Sequence, residues 1–378
     1  MAQWKTRRRL AAAAVAAAVS IGLTACTSSP GGGGTSGGQQ KPIAKEDLVL
    51  VASVINTTNP YMASMIEGSK ALSEKLGVPL KIVDSQGSSQ TEISQIQSIL
   101  AQGKKAVVMV NTVASSDAPP IVNAVKAAGG YVTIWWNKPD NLEPWTVGNN
   151  FVAFQKYSGV DSGRCNGKNI GDALGAAGGG VIMLPGVQDS TTSQTRVAGF
   201  KDALKAYPSV KVLEERPANW DQQKGFQETQ TMLAKYGDQI KGIWAADDAM
   251  MLGAIEATKQ AGRSDIKFAS DGIYPPTIDY IKQGVPIVGE TFHRGYMAAS
   301  IGLYTAYQAA TGALDPSTMP QEQRDSLFKL ACVTPQNYDQ YTKYDSDIPG
   351  WVDTLIANGP FKTEPTPLVG QGPEKLPS

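Results

Sequence analysis

Short apolar runs rich in β-branched residues alternate along this chain with longer stretches whose apolar positions repeat at the helical period. The apolar runs predict strands at 48–55, 80–85, 106–111, 131–136 and 146–149. A second series follows at 180–184, 210–214, 242–246, 267–270 and 287–291. Helices are predicted between them at 60–76, 91–102, 118–128, 195–206, 222–236 and 249–261. Gly77, Gly103 and Gly262 stand where a left-handed residue ends a helix, and Pro60 opens one where its missing N–H costs nothing. Near-continuous apolar strands separated by helices imply parallel sheets covered on both faces. Two successive sets of about five such units imply an α/β protein of two doubly wound lobes. Ligands of open sheets bind beyond the carboxyl ends of the strands, so the residues just after each strand carry the chemistry.

The first 47 residues break the pattern. A cationic cluster (Lys5, Arg7, Arg8, Arg9) precedes an apolar stretch that closes on Leu23-Thr24-Ala25-Cys26. That is the layout of an export signal over 1–25. The stretch is shorter than the roughly 20 residues of a spanning helix. Leu-Thr-Ala-Cys resembles the bacterial lipobox, which implies a lipid anchor at Cys26; an ordinary signal peptide with a chance Cys is the alternative. Residues 27–41 read TSSPGGGGTSGGQQK and hold nothing able to bury, so 26–47 is expected to be a flexible tether. The expected location is the outer face of the bacterial cytoplasmic membrane.

The remaining 330 or so residues suit two domains. Formal charge is zero, and removing the four leader cations leaves about −4. No basic stripe is present, so nucleic acid is not an expected partner. Cys165 and Cys332 remain after Cys26; in an exported chain such a pair leans toward a disulfide, with two buried thiols as the alternative.

The strand ends carry Ser53, then Asn59-Pro60-Tyr61-Met62, Asn111-Thr112 and Trp135-Trp136-Asn137-Lys138. The second series adds Asp189 to Arg196, Asn219-Trp220-Asp221, Asp247-Asp248 and Asp271-Gly272. Aromatic rings beside amides, carboxylates and one Arg suit a neutral, hydroxyl-rich ligand: the rings stack on CH faces while polar groups pair with hydroxyls. Duller readings exist. Asn59 and Asp248 are also suitable N-caps, Asp271 a turn residue, and Trp244 core. Alternation sends only one of Trp135 and Trp136 toward a cleft, and Trp136 is preferred. Catalysis has little support: there is one histidine, His293, with no Gly-Lys-Ser/Thr loop and no Cys-x-x-Cys pair. Neither a metal nor a cofactor is expected. The Asp247-Asp248 pair leaves a glycosidase as the enzymatic alternative.

These residues resemble the type I periplasmic binding proteins of ribose-binding-like sequence, which deliver sugars to ABC importers. The resemblance runs from about residue 48 to 314. It rests on Asn59-Pro60-Tyr61, Asp84-Ser85-Gln86, Arg196-Val197-Ala198-Gly199-Phe200, Pro217-Ala218-Asn219-Trp220-Asp221, Asp247-Asp248-Ala249-Met250 and Ser270-Asp271-Gly272. It implies ligand contacts at Ser53, Asn59, Tyr61, Met62, Asn111, Arg196, Trp220, Asp247 and Asp271, with a further one between Glu290 and His293. Where ribose binders carry Asp-Arg, this chain has Trp136-Asn137, which favours a pentose-sized sugar alcohol over a pyranose. The resemblance also implies a monomer that closes on its ligand and docks on an ABC permease. The lobes are expected at 48–149 with 292–327, and at 150–291 with 328–378, joined by a three-stranded hinge. A related repressor, which would lead with a helix-turn-helix, is not expected, because an export signal stands there instead. A ligand-sensing partner of a membrane receptor, or a nucleoside ligand, remains the alternative.

Overall fold

A computed structural model describes residues 41–371, 374 and 376–377. The expected signal, Cys26 and most of the tether lie outside the described residues. Part of the expected tether is packed instead of free: Ile43 donates its N–H to the Ala310 carbonyl at 2.9 Å and packs on the core.

The first lobe is built from β1 (Leu48–Val54), α1 (Pro60–Leu76), β2 (Leu80–Asp84), α2 (Ser89–Leu100), β3 (Lys105–Asn111), α3 (Ala118–Ala127), β4 (Tyr131–Trp135), the single turn α4 (Pro144–Val147) and β5 (Phe151–Tyr157). The second holds α5 (Gly159–Leu174), β6 (Gly179–Leu184), α6 (Thr191–Leu204), β7 (Val210–Glu215), α7 (Gln222–Tyr236), β8 (Ile240–Ala245), α8 (Asp248–Gln260), β9 (Lys267–Ala269), α9 (Pro275–Lys282) and β10 (Ile287–Phe292). Then come α10 (Gly295–Ala310), the turn α11 (Gln321–Arg324), β11 (Asp325–Phe328), β12 (Ala331–Val333), the turn α12 (Asp339–Thr342), α13 (Ile348–Asn358) and β13 (Leu368–Gln371). One sheet runs β13-β11-β5-β4-β3-β1-β2 and the other β12-β10-β9-β8-β6-β7. Only the edge strands β13 and β12 are antiparallel to their neighbours. Two α/β lobes with mostly parallel sheets are as the pattern predicts.

Every residue of β1 is buried because both its faces are covered. Val49 and Val51 join a cluster with α2 and α3, while Leu48, Leu50 and Ala52 face α1 and α10. Burial of each of these Val and Leu side chains stabilises by roughly 1.5–3 kcal/mol.

Three expectations are corrected. The strand expected at 146–149 is instead the end of a helical turn that Pro144 opens, and the strand is β5 at Phe151–Tyr157. Gln155 and Lys156 masked it, although both are buried. Since β5 pairs with β4, the first crossing between lobes falls at Ser158, not at the expected boundary between 149 and 150. The second lies between β10 and α10, and the third between β11 and β12. The tail does not stay with the second lobe. After β12 the chain returns: α13 packs on α1 and α10, and β13 covers the edge of β11. Trp351, Val352 and Leu355 bury the inner face of α13. The tail also grips two crossings. Arg294 donates to Asp345, with Nη2 at 2.8 Å, and Glu374 accepts from the Gly159 and Val160 N–H groups at 3.1 Å.

Cys165 on α5 and Cys332 on β12 form a disulfide with a Cα separation of 5.8 Å. Among the described residues, no helix is long and apolar enough to cross a membrane, and no cluster of acidic, His or Cys side chains could hold a metal ion.

Candidate ligand-binding site

The carboxyl ends of the two sheets face each other across a cavity of about 440 Å³, counting its mouth. The first lobe contributes Ile55, Asn59, Tyr61, Met62, Asn111, Trp136 and Asn137; the second contributes Thr192, Arg196, Trp220, Asp247, Asp248, Asp271 and Tyr274, with His293 at the second crossing.

Local structure explains how each side chain is aimed. Asn59 caps α1, accepting the Tyr61 N–H at 2.9 Å, and its amide donates across the cleft to Asp247 Oδ2 at 2.6 Å and the Trp220 carbonyl at 3.2 Å. The N-cap reading and the cleft position therefore both hold. Asp247, not Asp248, caps α8 through the Met250 N–H at 3.0 Å. Burial pushes the Asp247 carboxyl up to about 6, against the pull of its two donors. Asp248 is the first helical residue; it accepts from the Tyr274 N–H and the Thr277 hydroxyl at 2.8 and 2.7 Å, and burial raises it too. Asp271 accepts from the Ser162 and Thr291 hydroxyls through Oδ1, leaving Oδ2 free, 3.8 Å from Arg196 Nε. Arg196 donates to the Ala246 carbonyl and lies 4.8 Å from the centroid of Trp136 and 6.0 Å from that of Trp220.

Two glycines make this geometry fit. A Cβ on Gly186 would stand 2.0 Å from the Trp220 ring, and one on Gly163 would stand 2.1 Å from the Arg196 carbonyl. The turns are tight as well. Trp136, Asn219, Trp220 and Ile273 all adopt positive φ, which L side chains rarely do and which gathers here beside the cavity.

Trp135 is wholly buried and stacks on Phe328, while Trp136 lines the cavity and donates from Nε1 to the Tyr61 hydroxyl at 2.8 Å. Three expected contacts are placed differently. The Ser53 hydroxyl points behind the cavity and donates to the buried Glu92 at 2.6 Å. Glu290 is buried beyond the lining, its carboxyl pushed well up by burial and by Asp248 and Asp271. Asn137 reaches the lining, but its oxygen accepts from the Ser190 hydroxyl and the Thr192 N–H at 2.8 and 3.2 Å, and its amide donates to the Thr112 carbonyl. It locks one lobe to the other. Thr192 and Tyr274 line the cavity without having been singled out in the sequence. Thr192 lies in the Asp189–Arg196 stretch; Tyr274 follows Asp271-Gly272 by two residues, and its aromatic type at a strand end was the available signal.

Several buried polar atoms of the lining accept or donate no hydrogen bond within the protein: Asn111 Oδ1, Trp220 Nε1, His293 Nδ1, and Arg196 Nε and Asp271 Oδ2, which meet only as an ion pair at 3.8 Å. Buried polar groups are normally paired, so donors and acceptors left over around one cavity mark a place for a ligand that supplies both. A model of the periplasmic binding protein domain matches residues 50–314. The chain belongs to the periplasmic binding protein family. That family is made up of solute-binding proteins. The chain is 30% identical to the ribose import binding protein of Escherichia coli (strain K12), over 59% of this chain and 71% of that one. It is 26% identical to the xylitol-binding protein of Mycolicibacterium smegmatis, over 85% and 84%. Among solved structures, a twin-arginine translocation pathway signal protein from Burkholderia phytofirmans superposes with a TM-score of 0.80 at 30% identity, covering 86% of this chain and 99% of that one.

Proposed function

We propose that this protein is an extracytoplasmic solute-binding protein that takes a small neutral polyhydroxy compound into the cleft and hands it to an ABC permease. The observation that carries this reading is the mixed set of unpaired donors and acceptors, framed by Tyr61, Trp136 and Trp220. Each hydroxyl both donates and accepts, so one class of ligand can satisfy Trp220 Nε1–H and Asp271 Oδ2 together. A pentose-sized sugar or sugar alcohol is the finer reading. In its support, Asn137 is engaged between the lobes and no charged side chain of the first lobe lines the cavity, so nothing there grips an anomeric hydroxyl as a charged pair would. The name of the xylitol-binding relative, matched over most of both chains, points the same way. The protein acts by binding and not as an enzyme, as a monomer, held at the membrane by a lipid on Cys26.

Mechanism follows from the two walls. Contacts from both lobes exist together only when the cleft is closed, so ligand shifts the hinge toward closure and toward the surface a permease reads. A thermal-shift screen of pentoses, hexoses and C4–C6 polyols tests the reading, because a tight ligand raises the melting temperature by mass action. Stabilisation by a nucleoside or an amino acid alone would overturn it. Mass spectrometry of the membrane fraction, finding no acyl chains on Cys26, would remove the anchor.

A further inference from the structure

The chain has a single histidine, and the fold sets it at the second crossing between the lobes, 2% exposed and on the cavity wall. Packing fixes the ring. It stacks on Tyr157 with centroids 5.3 Å apart, and it meets the rings of Tyr61 and Trp136 edge-on, each also at 5.3 Å. Its Nε2 lies 3.2 Å from Arg196 Nη2. A guanidinium only donates, so this contact requires a lone pair on Nε2, which leaves the one ring proton on Nδ1. Nδ1 is buried and has no protein partner.

We propose that His293 is a tautomer-locked hydrogen-bond donor of this cavity, its Nδ1–H holding a ligand oxygen, and that Arg196 is the positioning residue that fixes the tautomer. The proposal rests on the solute-binding reading above and adds a rule of selection. The ligand atom facing His293 must carry a lone pair, as a hydroxyl, ring or carbonyl oxygen does. A deoxy analogue at that position leaves the N–H unpaired, and an ammonium group there meets a second donor. The lock thus keeps amines out of a cavity whose three carboxylates would otherwise attract them.

The donor keeps this character across neutral pH. Arg196 faces the ring from α6 and Arg294 adjoins it at the crossing, while α1 and β5 present only the hydroxyls of Tyr61 and Tyr157. Asp271 pairs with the same guanidinium, its Oδ2 lying 3.8 Å from Arg196 Nε. Burial and the two guanidinium charges hold the imidazole well below its ordinary value.

With one histidine in the chain, nitrogen-15 labelling of histidine in the full protein gives two ring resonances that belong to His293 alone. The expected spectrum has a protonated Nδ1 and a bare Nε2, unchanged between about pH 5.5 and 8. The Nδ1–H resonance is expected to move when the best binder of the sugar and polyol panel is added. A proton on Nε2, or titration near the ordinary histidine range, overturns the proposal. His293→Asn keeps an N–H close to the Nδ1 position and should hold affinity within about threefold, whereas His293→Phe should lose roughly tenfold to a hundredfold. Equal affinity of the Phe variant, or an Nδ1–H that ignores a bound sugar, overturns the proposal and leaves the solute-binding reading standing. A panel that stabilises nothing overturns both.

Discussion

The two walls of the cleft do different work. The first lobe meets the cavity with rings, a thioether and amides. Asn59 and Asn137 already bond to the other lobe, so of its polar atoms only Asn111 Oδ1 is left unpaired. The second lobe carries every charged group of the lining and most of the unpaired atoms. An aromatic wall tolerates many CH faces, whereas a wall of fixed donors and acceptors rejects what cannot pair. Closure belongs to the first wall and selection to the second. The scaffolds differ as well, since the disulfide lies in the second lobe.

That difference sets the largest expected effect. Replacing Cys165 and Cys332 by Ser should cost about 2–5 kcal/mol in urea unfolding, because the bond closes a loop of 167 residues. A loss under about 0.5 kcal/mol would show that the second lobe gains no rigidity from it. Next, Asp271→Ala should weaken the best panel ligand by roughly 2–4 kcal/mol, since it leaves buried Arg196 without its carboxylate. Asn111→Ala in the opposite wall should cost only about 1 kcal/mol. Calorimetry giving the reverse order would invert the division between the walls.

A third comparison uses one buried carboxyl from each lobe. Burial raises Glu92 to about 8 and Asp247 to about 6. Each binds its proton more tightly folded than unfolded, so stability is greatest at low pH and falls as pH rises. The window runs from about 4.5 to 8 for Glu92 and from about 4 to 6 for Asp247, each with a slope of at most about 1.4 kcal/mol per pH unit. Asp248 and Glu290 add slope of the same sign. Glu92→Gln should flatten the melting temperature between pH 6 and 8, and Asp247→Asn only below about pH 6. A slope above pH 6 no smaller in Glu92→Gln than in the parent protein would place its origin elsewhere. An effect as small as that of Asn111→Ala is expected for Tyr61→Phe, which leaves Trp136 Nε1 unpaired and should weaken binding by about 1 kcal/mol. A loss as large as that of Asp271→Ala would make the aromatic wall a selector too.

Legibility followed burial. The interior parallel strands were readable because both faces are apolar. β5 was not, because Gln155 and Lys156 are buried polar residues in an otherwise apolar run. α10 escaped because 14 of its 16 residues are buried, which leaves no polar stripe to show a helical period. α5 was obscured by its glycines, whose purpose is the close approach of α6 that seats Arg196. At the site, Asn59, Tyr61, Met62, Asn111, Trp136, Arg196, Trp220, Asp247, Asp271 and His293 all stand on the cavity wall. Ser53 and Glu290 do not, because a strand's side chains alternate and sequence gives no depth.

The sequence by itself determined the alternation of strands and helices, the two lobes, and the residues gathered at the strand ends, because periodicity and turn chemistry are local. Which of those residues would face a ligand was decided only by tertiary structure. Asn137 became a lock between lobes once Ser190 and Thr192 arrived from the other side. The tail joined the first lobe because α1 and α10 offered a face for Trp351. His293 acquired its tautomer only when folding brought Arg196, 97 residues away, against one side of its ring. Contacts over such separations exist only after the chain has closed, so no local pattern can encode them.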